Sequence, residues 1–146
     1  DNFKPFNDRF GFRQGDRAIL LFSELMRSAL GGSRSFLGHI GGDDFFASFR
    51  DTPAEEVRGR VEAALAAFRR DVESFYDPES RERGFIVARG RDGALQQFPL
   101  LSCSAALVEI AAGERMVTVD DIGGTIAGLK KAAKLAPGHI AVERLG

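Results

Sequence analysis

The stretch His39-Ile40-Gly41-Gly42-Asp43-Asp44-Phe45-Phe46 combines two glycines and two adjacent carboxylates between apolar runs. Phe36 to Ile40 leads in and Phe45 to Phe49 leads out. Paired glycines between β-rich runs predict a tight hairpin turn, because glycine takes positive φ without steric cost. Such a turn holds Asp43 and Asp44 at a fixed place on a sheet edge. Adjacent carboxylates repel, and a divalent cation relieves that repulsion. Backbone free of Cβ atoms beside anionic oxygens suits a metal–nucleotide complex. A solvated acidic turn is the competing reading of the same residues.

The remaining chain must position this turn. Its 146 residues suit one domain with a real core; 44% are apolar and 28% charged, as in an ordinary soluble protein. Thirteen Phe and no Trp predict a phenylalanine-rich core. The net charge of −1 argues against binding nucleic acid or anionic lipid by bulk charge, so any phosphate binding must come from a few placed cations. Cys103 stands alone, which excludes a disulfide framework and a cysteine metal cluster and fits a reducing, cytoplasmic compartment. No apolar run reaches membrane-spanning length, and no signal peptide is visible. The chain opens without Met, in the middle of a motif, so a truncated domain from a longer protein is expected.

In chain order, Pro5 argues against a regular helix in the opening, and Gly11 suggests a turn. Asp16 is a candidate N-cap for a helix over Arg17–Leu30, ended by Gly31-Gly32. Thr52-Pro53-Ala54-Glu55 reads as a capping box opening a helix to about Phe75, and Asp77-Pro78-Glu79-Ser80 breaks the chain. Strands are expected over Phe85–Arg89 and Leu95–Phe98, joined by a turn at Gly90-Arg91-Asp92-Gly93. Leu100–Ile110 reads as a central strand and Gly113-Glu114-Arg115 as a loop. Thr118 caps a further helix whose end carries Lys130, Lys131 and Lys134, placed to oppose the helix dipole; Pro137-Gly138 stops it, and His139–Val142 can form a last strand. Hairpins dominate the connections. The expected class is α+β, a central mixed and mainly antiparallel sheet flanked by helices.

Two motifs at their spacing carry a resemblance. Asp1-x-Phe3-Lys4-x-x-Asn7-Asp8-x-x-Gly11-x-x-x-Gly15-Asp16, followed after a helix by Gly41-Gly42-Asp43-Asp44-Phe45, resembles the GGDEF domain family of bacterial diguanylate cyclases, which join two GTP into cyclic di-GMP. The likeness covers nearly the whole chain. It implies a nucleotide-cyclase, ferredoxin-like fold with Mg²⁺ or Mn²⁺ as cofactor. Asp43 is implied as the metal carboxylate at the reacting end of GTP, with Asp44 beside it. Gly41 and Gly42 then let the backbone approach the nucleotide. Asn7 and Asp16 match the guanine-binding positions, Phe3 and Lys4 the phosphate-contacting stretch, and Lys134 the phosphate lysine of the last helix. One GTP per domain implies a homodimer, at least transiently, and the family implies attached sensory or EAL-type domains.

Taken alone, several of these residues have simpler roles. Asp16 suits a cap alone, Asn7 a turn residue and Lys134 a solvated helix-end lysine, while Phe3, Phe6 and Phe10 suit a core. His39 suits a structural role or a nearby carboxylate, and His139 a surface position. The sequence also departs from the family pattern. Asp44 replaces the usual Glu, Phe12 a His, and His39 a common Arg, while Ser102–Ala106 replaces a segment ending in Ile-Gly. Gly138-His139-Ile140 stands where Gly-Arg-Asn is usual, which removes a phosphate-binding Arg. The inhibitory Arg-x-x-Asp falls on Gly32 to Ser35 and is absent, so feedback inhibition through it is not expected. The second metal Asp of the family lies two positions before Asp1. Two readings follow: a magnesium-dependent diguanylate cyclase with slow turnover, or a degenerate GTP-binding or dimerisation module that regulates an attached domain such as an EAL phosphodiesterase.

Overall fold

The computed structural model describes residues 1–90, 92–111 and 116–146. Two helices open the chain, α1 over Phe3–Phe10 and α2 over Phe12–Leu30, parted by Gly11 at φ 84°. Pro5 does not prevent α1. It is the third helical residue, and the first four helical N–H groups have no partner within a helix to lose. Asp16 is not an N-cap, because α2 begins four residues earlier and runs through it. Gly15 serves a close approach instead: a Cβ there would lie 1.8 Å from the Asn7 Oδ1 atom of α1.

Strand β1, Ser35–Gly41, pairs antiparallel with β2, Asp44–Phe49. Helix α3 spans Ala54–Val72 and continues as a 3₁₀ turn over Glu73–Phe75, matching the expected end. The expected capping box is not formed: Pro53 occupies the cap, and the Thr52 hydroxyl donates back to Arg50 O at 3.0 Å. Asp77-Pro78 does break the chain, but it also starts a short helix, α4 (Pro78–Arg83), whose Ser80 N–H donates to the Asp77 carboxylate.

Strands β3 (Phe85–Arg89) and β4 (Leu95–Pro99) form a second antiparallel hairpin; Arg91 of its turn lies outside the described residues. Strand β5 is Ala105–Ile110, shorter than the expected Leu100–Ile110. The Gly113–Arg115 loop lies outside the described residues. Helix α5 spans Val119–Leu135, and its Thr118 cap is part of a reciprocal capping box with Asp121. It leads to β6, Ile140–Leu145, parallel to β5, as a helical crossover requires.

The α+β class holds. Among the described residues, however, the strands form three two-stranded ribbons rather than one central sheet. Helices therefore supply much of the continuity. One buried cluster centres on Phe6, Ala18, Phe68, Val72, Tyr76, Ile86 and Leu101, and a second on Met26, Leu30, Val57, Val61 and Leu65. Phe3 and Phe10 pack against the first, as the phenylalanine-rich core predicts.

Tyr76 closes the first cluster. Its ring lies 5.4 Å from those of Phe6 and Phe10, and its oxygen accepts the buried Leu101 N–H at 2.7 Å. Burial pushes the phenol up to about 12, from 10.0. A raised folded-state value means that the folded chain holds its proton more tightly. That stability is complete below pH 10 and is lost as pH climbs toward 12. Tyr76→Phe strands the Leu101 N–H and should cost about 1–3 kcal/mol at neutral pH, while flattening the alkaline loss; urea melts across pH 7–11.5 measure both.

Candidate functional site

The turn between β1 and β2 is built by its glycines. Gly41 sits at φ 141° and Gly42 at φ 55°, and a Cβ on either would point into open space. The conformation, not crowding, requires glycine. The register slips between His39↔Phe45 and Gly41↔Asp44, which kinks the ribbon before its tip. His39 then ties the turn: its Nε2 donates to Gly42 O at 2.9 Å, and its ring stacks on Phe45 at 4.6 Å. Its role is structural, one of the readings its position allowed.

Asp43 and Asp44 line a cleft of about 780 Å³. The start of α1 contributes Phe3 and Lys4, α5 contributes Lys130 and Lys134, and Arg89 and Gln96 reach in from the β3–β4 hairpin. Charges are paired across it. Lys134 Nζ lies 3.2 Å from the Asp1 carboxylate, and Lys130 Nζ lies 2.7 Å from Asp44 Oδ1. Lys4 Nζ pairs with Asp8, one helical turn along α1. Asp1 also accepts the Ser104 hydroxyl, and Ser104 Oγ lies 3.4 Å from His139 Nδ1. His139 is half-buried, rather than the open surface residue its position near a helix end suggested.

Of the expected site residues, Phe3, Lys4, Asp43, Asp44 and Lys134 thus share the cleft, while Gly41, Gly42, Asn7 and Asp16 lie outside its lining. Asp16 is exposed. Asn7 Oδ1 is buried and has no hydrogen-bond partner among the described residues. Phe3 joins the two places: it lines the cleft, and its ring approaches the same Gly15 that abuts Asn7.

Lys130, Ser104 and His139 were missed as site residues. Lys130 alone left a signal, since the i, i+4 spacing from Lys134 sets both ammonium groups on one face of α5. Among the described residues, no three His, Cys, Asp or Glu side chains form a ready cation cage. Asp43 makes no ion pair or side-chain hydrogen bond among them, and Asp44 has only Lys130. Two carboxylates at one edge of an open cleft fit a hard cation that takes its other ligands from phosphate oxygens and water.

These features define an α+β domain with a charge-paired cleft built on a two-glycine turn. The model of the family described as "Diguanylate cyclase, GGDEF domain" matches residues 1–82, more than half of the chain, and the chain belongs to the GGDEF family. It is 34% identical over 55 residues to a diguanylate cyclase of Vibrio cholerae, an alignment covering 38% of this chain and 17% of that protein. It is 40% identical over 57 residues to the probable diguanylate cyclase DgcC of Escherichia coli K12, covering 39% of this chain and 15% of that protein. The matched stretch is therefore less than a fifth of either relative's length. No solved structure matches the chain.

Cys103 lines the cleft and also packs against both buried clusters. Burial raises its thiol to about 11, from 9.0, so it is neither a ready nucleophile nor a thiolate ligand at neutral pH. Labelling of Cys103 with an aromatic disulfide at pH 8 should run at least about tenfold slower in the native chain than in urea; equal rates would show an open thiol.

Proposed function

We propose that this domain binds GTP with a divalent cation, Mg²⁺ or Mn²⁺, and acts as one half of a diguanylate cyclase. The observation that carries the reading is Asp43. Its carboxylate, at the tip of the two-glycine turn, shares a cleft with the ammonium groups of Lys4, Lys130 and Lys134. Phosphate oxygens and a cation need both kinds of group in one place. Asp43, with Asp44 beside it, would hold the cation, which supplies neutralising charge on the polyphosphate.

The chain's own groups orient the nucleotide. Lys134 and Lys4 act as point charges toward phosphate, and Phe3 lies between that cleft and Asn7. The Asn7 amide, once turned out of its seat against Gly15, can accept a guanine N–H, and the exposed Asp16 carboxylate can accept a second. In the reaction, the 3′-hydroxyl oxygen of one GTP attacks the α-phosphorus of the other. A P–O bond forms, the bond to the β-phosphate breaks, and pyrophosphate leaves; repetition closes the cyclic dinucleotide. Each domain contributes one GTP, so two copies must face each other, at least transiently. Cytoplasmic placement and attached sensory or EAL-type domains belong to the same reading. No helix among the described residues is long and apolar enough to cross a membrane.

Two observations favour the quieter alternative, a GTP-binding or dimerisation module. Asp44 is occupied by Lys130, and no arginine stands at Gly138-His139. The two readings divide cleanly in the full-length protein. Magnesium with GTP should raise the melting temperature by about 5 °C or more at concentrations about a hundredfold above Kd, and ATP should raise it less. No selective shift removes both readings. Cyclic di-GMP, followed by mass spectrometry, should form in the wild type and fall by about 10²-fold or more in Asp43→Ala. GTP binding without product leaves the module.

A further inference from the structure

The ion pairs of Lys130 and Lys134 on α5 carry an inference that rests on the reading above and concerns how its site fills. Lys130 and Lys134 stand one helical turn apart, on either side of the fully buried Ala133, so α5 is anchored beneath them. Each lysine reaches a carboxylate from a different part of the chain, Asp44 at the start of β2 and Asp1 before α1. Both of these lysines facing the cleft are therefore already paired.

The Lys130–Asp44 pair is the exchangeable one. Its side chains are 51% and 54% exposed, and Asp44 has no second partner among the described residues. Asp1, in contrast, is mostly buried and also accepts from Ser104. Exposed pairs hold weakly and lose readily to a better partner. A bare cation approaching Asp44 must compete with Lys130, and a bare polyphosphate approaching Lys130 must compete with Asp44. A cation–polyphosphate complex satisfies both at once.

We propose that Lys130 is a polyphosphate-binding residue stored on Asp44, released to the phosphate oxygens when a divalent cation takes the Asp44 carboxylate, so that cation and nucleotide bind cooperatively. The coupling is reciprocal, because each ligand removes the competitor of the other. A shorter acidic side chain at this position suits the arrangement, since Asp44 meets Lys130 at 2.7 Å.

Titration calorimetry on the full chain tests this with Mn²⁺ and a GTP analogue whose α–β bridge is methylene, so that no turnover intervenes. Lys130→Ala should tighten Mn²⁺ binding in nucleotide-free protein by about threefold and weaken binding of the Mn²⁺–analogue complex by about fivefold or more. Asp44→Asn should do the converse, tightening the analogue in EDTA by about threefold while weakening Mn²⁺. Lys130→Arg, which keeps the charge, should remain within about twofold of wild type for the complex. Unchanged complex affinity in Lys130→Ala, with wild type binding normally, overturns this inference and leaves the GTP reading standing. Loss of complex affinity without the gain for Mn²⁺ also overturns it. Wild-type protein that binds no analogue with Mn²⁺ sinks both. Both substituted side chains are half-exposed, and unchanged melting temperatures verify that the variants remain folded.

Discussion

The ring of Phe22 holds the two-glycine hairpin to the core. It meets Phe68 of α3 at 5.2 Å and Phe45 of β2 at 5.0 Å, both edge to face. Phe22 also packs against both buried clusters, so it joins them. Aromatic pairs in this geometry add to the burial of their area. The β1–β2 ribbon needs this support, because a two-stranded hairpin is marginal by itself in water. Phe45 lies two residues after Asp43 and beneath His39. Core packing, ring stacking and the His39–Gly42 hydrogen bond therefore fix the turn in succession.

The same logic explains why, among the described residues, the three ribbons remain positioned although their strands do not pair with one another. Leu37, Phe45 and Ala47 of the first hairpin, and Ala105, Leu107 and Ile140 of the parallel pair, all pack against the Met26–Val61 cluster. Phe98 of the second hairpin packs against the Phe6–Tyr76 cluster. Hydrophobic burial is non-directional and can seat ribbons on helices, but it sets no register between them. The charged pairs across the cleft then add direction: Lys130 ties α5 to β2, and Lys134 ties it to the start of the chain.

Local chemistry was legible in the sequence. Two glycines at positive φ, the Phe85–Arg89 strand and the Thr118 cap each depend on a few neighbouring residues, and each was visible there. Misreadings arose where a local signal had two outcomes. Pro5 is compatible with a first turn as well as with no helix, and Gly15-Asp16 marks a close approach between helices as readily as a helix start. Contacts between distant residues left little trace. Ser104 and Asp1 are 103 positions apart, and Lys130 and Asp44 are 86 apart. No spacing rule joins such pairs, so the cleft's members were legible chiefly through the family likeness, and Lys130 only through its i, i+4 spacing from Lys134.

The two ends of the proposed site are satisfied to different degrees, and that difference carries a consequence for specificity. At the phosphate end, Asp1 and Asp44 already have cations, so a ligand there exchanges one set of ionic contacts for another. At the Asn7 end, a buried acceptor has no partner among the described residues, and an unmet buried polar group costs more than a typical hydrogen bond contributes. Were the Asn7 amide to turn out from Gly15, a ligand supplying a donor would remove that cost and one presenting an acceptor would not. In the proposed reading, discrimination between bases would fall to the Asn7 end and retention of the polyphosphate to the lysine end. Phe3 touches both places, lining the cleft and abutting Gly15.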